Sequence, residues 1–390
     1  MRILQWLCIS IFSMLFLSGC WDRTEVNDLA VITAAAYDKT AEGFEGTVQI
    51  ILPSSGAADS GQSGGKSQSV KTYTTGIASN ISLSLDESYV KLQKKFSRKL
   101  FRGHRRVIII GEEMSRNGLE ELIDYLSRDP NSSLHTPIVV AKGRTGAELL
   151  KTSYPMERAS GEAMREMINI AGRGLKVTKL DFLIKAASEG VQPIAATIEP
   201  VDDKEGFRLT GVAIFKNLKL AGYLNNEETV GFLWATGNYE QGFVTISVPG
   251  HEGEISVNVK SGKAQITPEI NDHKVTIYVA LKGEGSISSN STKLDFTIPE
   301  NIALVEQAVG SEITKQVQRT IKIVQRESGA DIFGFGSTIN QRNPKEWKHL
   351  RDDWDNIFPQ AEVSVSTKFS IRTTNMTGTT PYLKENEVKK

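Results

Sequence analysis

The chain of 390 residues carries 46 Lys and Arg against 46 Asp and Glu, with 39 % hydrophobic and 24 % charged residues. This composition excludes an intrinsically disordered chain and a collagen-like fold. Zero net charge gives no global reason to expect nucleic-acid binding, because a protein that neutralises many phosphates normally carries a basic excess. A single core stops growing at roughly 250 to 300 residues, so the length predicts about two or three domains.

The amino terminus has the pattern of an export signal. Arg2 precedes an apolar run over residues 3–17, and small residues then lead to Cys20. The run is shorter than the roughly twenty residues that a transmembrane helix needs. The tetrapeptide Leu17-Ser18-Gly19-Cys20 fits the bacterial lipobox, in which a diacylglyceryl group is attached to the cysteine thiol and the signal is cut before it. We expect residues 1–19 to be removed and Cys20 to be lipidated. An ordinary secretory signal that happens to contain Cys20 is the alternative.

The two cysteines agree with lipidation. Cys8 would leave with the signal and Cys20 would be capped by lipid, so the mature domains would hold no disulfide, thiolate metal site or cysteine nucleophile. Two acyl chains on one residue are enough for durable membrane attachment. Residues 20–28 form the lipidated cysteine and tether, and about seven extended residues reach at most roughly 23 Å. We therefore expect the first domain to sit close to the lipid surface.

Residues 29–200 are predicted to form an α/β domain with partly parallel strands, because strand and helix patterns alternate along them. Strands are predicted at 29–37, 44–50, 106–111 and 137–141, and helices over 77–96, 119–126, 145–151, 161–169 and 180–188. Residues 53–69 are rich in Gly and Ser and are predicted to be a flexible loop. Their GQSGGKS stretch lacks the glycine that a phosphate loop needs at Ser60 and the helix that must follow it.

Residues 201–380 are predicted to form an α+β domain, with a subdivision near residue 240 left open and a polar tail at 381–390. Two strands around an Asn217-Leu218 turn are predicted to precede a short helix. Four alternating stretches over 243–286 predict an antiparallel meander. Apolar residues at helical spacing over 302–324 predict one long amphipathic helix whose apolar face covers the meander. A helix beginning at Pro344 and a strand at 363–371 complete the domain.

No pattern in the chain predicts a catalytic or metal site. The five histidines never come within four residues of one another, and without thiols no sequence-local zinc site is formed. No Gly-x-Ser-x-Gly elbow occurs, and the carboxylates around Trp354 are better explained as a solvated helix face. We therefore expect a protein that is not an enzyme, with no catalytic, cofactor-binding or metal-binding residues, no cofactor and no nucleic-acid partner. Lipidation of Cys20 is the single modification predicted.

One run of basic residues, the basic segment 91–106, rises above this background. It holds eight Lys or Arg and no acid: Lys91, Lys94, Lys95, Arg98, Lys99, Arg102, Arg105 and Arg106. Such a cluster can meet anionic lipid headgroups or a partner, or it can pair with carboxylates from elsewhere in the fold. Two aromatic pairs, Phe232 with Trp234 and Trp347 with Trp354, could anchor a partner or line a nutrient pocket. Their spacing favours positions in the core.

Four blocks behind the lipobox together resemble the C-subunit lipoproteins of spore germinant receptors, the Ger(x)C (GerAC-like) family of endospore-forming Gram-positive bacteria. The lipobox runs into Cys20-Trp21-Asp22-Arg23 and then EVNDLA at 25–30. The other blocks are FRGHRRVIIIGEEMSRNGLEELIDYLSRDP at 101–130, LTGVAIFKNLKLAGYL at 209–224, and GADIFGFG at 329–336 followed by NPKEWKHLRDDWDNIFP at 343–359. The blocks stand in the family's order over nearly the whole mature chain.

The resemblance implies a non-enzymatic subunit on the outer face of the inner spore membrane, working with a multi-pass A subunit and a transporter-like B subunit. Such a receptor responds to small nutrients and triggers germination. The competing hypothesis is a membrane-anchored solute-binding lipoprotein that delivers a nutrient to a transporter. Proteins of that kind usually have two doubly wound α/β lobes, and the meander with its long helix does not match that pattern.

Overall fold

A computed structural model describes Gln5 and residues 25–53, 73–170, 174–201, 206–271 and 274–374. Apart from Gln5, the predicted signal peptide lies outside the described residues, as do Cys20, residues 54–69 of the Gly/Ser loop and the tail at 381–390. The last part of the predicted tether is a short 3-10 helix, Val26–Asp28, which leads directly into the first strand.

The first sheet has nine strands in the described part of the chain, in the order β3-β2-β1-β5-β6-β7-β8-β9, with β4 also paired to β1. Its strands are β1 (Leu29–Thr40), β2 (Gly43–Pro53), β3 (Tyr73–Ser82), β4 (Lys99–Phe101), β5 (Val107–Gly111), β6 (Ile138–Ala141), β7 (Ile194–Pro200), β8 (Phe207–Lys216) and β9 (Lys219–Leu224). Strands β1, β5, β6 and β7 run parallel. Strand β4 also pairs in parallel with β1, whereas β2, β3, β8 and β9 pair antiparallel with their neighbours. The predicted α/β class is confirmed.

Helices cover both faces of this sheet, which explains why its central strands are almost continuously apolar. The helices are α1 (Leu85–Gln93), α2 (Glu112–Asn117), α3 (Glu120–Arg128), α4 (Gly146–Lys151), α5 (Ser160–Ile170) and α6 (Lys179–Ala187). One face packs against α4 and α5 through side chains such as Leu149 and Met164. The other packs against α1, α3 and α6 through Leu92, Leu126 and Phe182. Capping boxes at Thr145 and Thr178 fix the starts of α4 and α6.

The helix predicted over residues 77–96 is wrong in its first part. Residues 73–82 form the edge strand β3, and α1 begins only after Ser84, whose side chain accepts a hydrogen bond from the amide of Glu87. Ile77 and Ile81 lie four residues apart, and that spacing places two side chains on one face of a strand as well as on one side of a helix. The pattern therefore could not separate the two structures.

The second sheet has the order β10-β11-β12-β13 in the described residues. Its elements are α7 (Asn226–Ala235), β10 (Gly242–Ile246), β11 (Ile255–Asn271), β12 (Lys274–Asn290), α8 (Pro299–Ile323), α9 (Phe335–Arg342), α10 (Pro344–Leu350), α11 (Trp354–Ile357) and β13 (Glu362–Thr373). Buried valine and isoleucine side chains, from Val305 to Ile321, form the inner face of α8. A π-helical turn, Val324–Ser328, follows α8. The long amphipathic helix, the helix at Pro344 and the α+β class are confirmed.

The predicted meander of four stretches is three strands, because β11 continues through Ser261-Gly262 instead of turning there. The strand pairing shifts between Val259 and Ser261, which is a bulge. Gly262 and Gly283 are cross-strand partners, and the buried ring of Trp234 lies against both. A Cβ on Gly262 would lie 2.6 Å from that ring. The glycine therefore makes room for the indole, and the chain stays extended.

The first sheet continues beyond residue 200, where the sequence predicts a domain boundary. Strands β8 and β9 extend the sheet from β7, with a tight turn at Asn217 and Leu218, whose φ angles are 50° and 62°. The second sheet begins at β10, near the subdivision left open at residue 240. One cluster of buried apolar side chains runs from the α1, α3 and α6 face into the second sheet and α8. The two halves of the chain therefore share a core.

Candidate functional site

The basic segment 91–106 lies at the edge of the first sheet where the parallel strands begin. Strand β4 pairs in parallel with the start of β1, and Lys99 stands opposite Leu29. Gln93 fixes the loop before β4, because its amide nitrogen donates to the carbonyl of Arg98 at 2.9 Å and its oxygen accepts from the amide of Leu100 at 2.8 Å. The segment is thus held beside the point where the tether enters the fold.

Two arginines of this segment point inward and form a buried charged network with Asp129. The Arg105 side chain is 1 % exposed, and its guanidinium lies 3.4 Å from Asp129 Oδ2 and donates to the Tyr37 hydroxyl at 2.7 Å. It also donates to Ser132 Oγ. Arg102 lies 3.2 Å from the other oxygen of Asp129. A buried arginine is tolerated only with such compensation, so this network fixes the connection between β4 and β5 onto α3.

Aromatic side chains complete the network. Arg102 donates to the Tyr125 hydroxyl at 3.0 Å, and its guanidinium lies 4.2 Å from the centre of the Tyr89 ring. Burial raises the pKa of Tyr125 far above its ordinary value, which keeps the phenol neutral as a hydrogen-bond partner. The Tyr89 hydroxyl donates to the carbonyl of Leu100 at 2.9 Å. The sequence pattern did not single out Tyr37, Tyr125 or Asp129. Their role depends on the burial of Arg102 and Arg105, because buried arginines need an acidic partner.

The outward-facing members of the segment divide into paired and free cations. Lys91 pairs with Glu87, and Arg106 pairs with Glu162. The ammonium of Lys95 donates to the carbonyl of Ser79. No ion pair is formed by the other three outward cations within the described residues, namely Lys94, Arg98 and Lys99. Carboxylate partners therefore account for half of the segment, and three free cations remain on its surface.

A second polar centre joins the two halves of the chain at the block 329–336. The Asp331 carboxylate is buried and accepts hydrogen bonds from the amides of Phe333, Gly334 and Gly336 at 2.8 to 3.1 Å. The indole nitrogen of Trp354 adds a fourth at 3.2 Å. Burial raises the pKa of Asp331 to about 6, against the lowering effect of these donors. The carboxylate therefore organises the loop before α9.

This loop packs against residues 188–193 of the first half. The amide of Gln192 donates to the carbonyl of Asp331 at 2.8 Å, and the amide of Ser337 donates to the carbonyl of Gly190 at 2.9 Å. Trp347 is buried and its indole nitrogen donates to Glu189 at 2.8 Å. Trp234 and Trp354 are buried as well, so the prediction that the aromatic pairs are core residues is confirmed.

The described residues contain no group of three or more His, Cys, Asp or Glu side chains placed to hold a metal ion. None of the helices in the ranges given above is both long and apolar enough to cross a bilayer. Cys20, the predicted lipidation site, lies outside the described residues. Its modification stays a prediction.

Comparison with known proteins gives a consistent result over both halves of the chain. The family model "Spore germination protein N-terminal domain" matches residues 22–200, and "Spore germination B3/GerAC like, C-terminal" matches residues 210–375. Spore germination protein KC of Bacillus subtilis is 25 % identical, over 94 % of this chain and 95 % of that protein. The putative spore germination protein YfkR of the same organism is 27 % identical, over 90 % and 91 %. The crystal structure of the GerBC protein matches the fold with a TM-score of 0.58 at 20 % identity, covering 87 % of this chain and 96 % of that one.

Proposed function

The chain belongs to the GerAC-like family of spore germination proteins, and from this premise we propose that it is the lipid-anchored C subunit of a nutrient germinant receptor. In this proposal Cys20 carries the lipid and holds the chain on the outer face of the inner spore membrane. Membrane-embedded A and B subunits are its partners, and its part in germination is to assemble and stabilise their complex.

The observation that carries the proposal is the order of its parts. A lipobox ending at Cys20 is followed at once by the two family models, which together extend from residue 22 to residue 375. The relatives are matched over more than nine-tenths of their length, so both halves of the family's protein are present. Strand β1 begins at Leu29, which leaves a short tether between the proposed lipid and the fold.

The proposal assigns no chemical step to the chain. Arg105 and Asp129 are each bound by side chains that fix the fold, and Asp331 is saturated by backbone amides and an indole. Such arrangements hold loops in place. The competing solute-binding hypothesis is less well supported. The second sheet has four strands in sequential order, with β10, β11 and β12 antiparallel, and it is not a second doubly wound lobe.

Co-purification from gently solubilised spore membranes tests the proposal. The tagged chain is expected to bring down a multi-pass subunit and a transporter-like subunit, identified by mass spectrometry. Mass spectrometry of its amino-terminal peptide should show a diacylglyceryl group on Cys20. A chain carrying Cys20→Ala should move to the soluble fraction and lose nutrient germination. Recovery of the chain alone, or with an ATP-driven permease, would contradict the receptor proposal.

A further inference from the structure

Several connecting segments lie together at the end of the first sheet where its parallel strands begin. Strands β1 and β4 begin there with Leu29 and Lys99 as neighbours. Helix α6 begins there too, since the amides of Lys179 and Leu180 donate to the carbonyls of Thr136 and Leu134, just before β6. The chain leaves α6 for the start of β7 at Ile194. We call this side the strand-start edge.

The free cations of the basic segment lie on this edge. Lys94 and Arg98 are in the loop that Gln93 holds, and Lys99 opens β4. Lys94 and Lys99 are exposed, and Arg98 is half-buried. Asp28, the last residue of the short helix before β1, directly precedes Leu29, the strand partner of Lys99.

Exposed apolar side chains lie on the same edge. Val26, in the short helix before β1, is 78 % exposed. Leu134 is 45 % exposed, and its carbonyl accepts a hydrogen bond from the amide of Leu180 at the start of α6. Ile184 lies one turn further along α6 and is 54 % exposed. Apolar side chains next to free cations form the mixed surface that suits a lipid headgroup layer, where cations meet phosphates and apolar groups enter the acyl boundary.

We propose that the strand-start edge is a membrane-docking surface that lies on an anionic lipid layer. The occupant follows from where the chain enters the fold: Val26 is six positions after Cys20, and an extended segment of that length reaches at most roughly 20 Å. This rests on the proposed lipidation of Cys20, which brings the edge within reach of the headgroups. The docked subunit then has a fixed orientation, with the strand-start edge toward the lipid.

Coupling through Cys20 allows a direct test, because the chain from Cys20 to Lys390 has no other cysteine. That chain is attached to vesicles through a maleimide lipid, with either phosphatidylcholine alone or phosphatidylcholine containing phosphatidylglycerol. Amide hydrogen exchange is then followed by mass spectrometry. Residues 94–102, 133–136 and 180–187 should exchange more slowly on the anionic vesicles, and the hairpin of β11 and β12 should not change.

The variant Lys94→Glu/Arg98→Glu/Lys99→Glu should lose this protection. Three contacts at about 1 kcal/mol each correspond to about a hundredfold change in the docking equilibrium. The matched control is Lys260→Glu/Lys263→Glu/Lys282→Glu, which makes the same charge change at exposed positions of the hairpin. It should keep the protection.

Equal exchange on the two kinds of vesicle would overturn the proposal, as would equal loss in the control variant. Protection that appears only when the A and B proteins are added to neutral vesicles would assign the edge to a protein partner and overturn the lipid proposal. These results are independent of co-purification from spores, so failure of docking and failure of the receptor assignment are distinguished.

Discussion

The indole nitrogen of Trp347 donates a hydrogen bond of 2.8 Å to Oε2 of Glu189, which joins α10 to the loop that precedes β7. Gly190 follows in this loop, and its Cα packs directly on Gly336. The first and second halves of the chain therefore meet through one charged residue, two glycines and a tryptophan. This contact fixes how the two sheets are joined.

Replacement of Gly190 by alanine tests that contact. Its φ of 71° already disfavours a side chain, and an added Cβ would lie 2.5 Å from the Gly336 backbone and 2.7 Å from the Trp347 ring. Gly250 has a similar φ of 81° but no atom within 4 Å of the added Cβ. Gly190→Ala should therefore lower the free energy of unfolding by about 1 to 3 kcal/mol more than Gly250→Ala. Urea unfolding measures the difference, and equal losses would show that the two loops do not pack as described.

Removal of the buried guanidinium of Arg105 should be strongly destabilising. Arg105→Met leaves Asp129 and the Tyr37 hydroxyl without one of their partners, and breaking a buried pair costs about 3 to 5 kcal/mol. Arg106→Met, at the next position, removes only a surface pair with Glu162 and should cost no more than about 1 kcal/mol. Chemical denaturation of the two variants gives the comparison. Similar losses of stability in the two variants would mean that the Arg105 side chain is not buried.

The third prediction concerns the close packing of the Trp234 ring on Gly262. A Cβ at Gly262 would overlap the indole ring, and overpacking of this kind costs about 1 to 3 kcal/mol. Gly222, in β9, has no atom within 4 Å of an added Cβ, so Gly222→Ala should leave the stability nearly unchanged. Thermal unfolding and tryptophan fluorescence would compare the variants. A stable Gly262→Ala protein with unaltered emission would place the indole elsewhere.

Asp38 gives a prediction about pH. Its carboxylate caps α4 by accepting from the amides of Gly146 at 2.7 Å and Ala147 at 3.0 Å, while burial raises its pKa from 3.8 to about 6. A raised carboxyl pKa means that the folded state holds the proton more tightly than the unfolded state. The contribution of this group is therefore greatest at low pH and falls as the pH rises from about 4 through about 6.

The matched comparison is Asp38→Asn, which removes the titration. The free energy of unfolding of the wild type, relative to this variant, should fall by about 2 kcal/mol between pH 4 and pH 7. Asp331, whose pKa is raised in the same direction, is present in both proteins and cancels in the difference. Urea titrations across this range supply the values. Parallel stability curves would show that Asp38 has an ordinary pKa.

Several elements followed from local pattern alone. The sequence predicted α8 from its valine and isoleucine spacing, and it predicted the turn at Asn217 and Leu218 between β8 and β9. Both were predictable because hydrophobic period and turn chemistry are properties of neighbouring residues. Strand β3 was not readable, since Ile77 and Ile81 satisfy both periods. The continuation of β11 through Gly262 could not be predicted from the sequence either. Gly262 makes room for the Trp234 ring, and Trp234 is distant in the chain.

For the candidate site, the sequence determined which charges occur and the tertiary structure decided what they do. Eight cations stand in one segment with no acid among them, and nothing local separates Arg105 from Lys99. In the fold, Arg105 lies in the loop between β4 and β5 and reaches Asp129, whereas Lys99 opens β4 at the strand-start edge. A charge is tolerated inside only where a distant chain segment replaces its water, and that depends on long-range contacts. The lipobox ending at Cys20, by contrast, is a contiguous motif that needs no fold to be recognised.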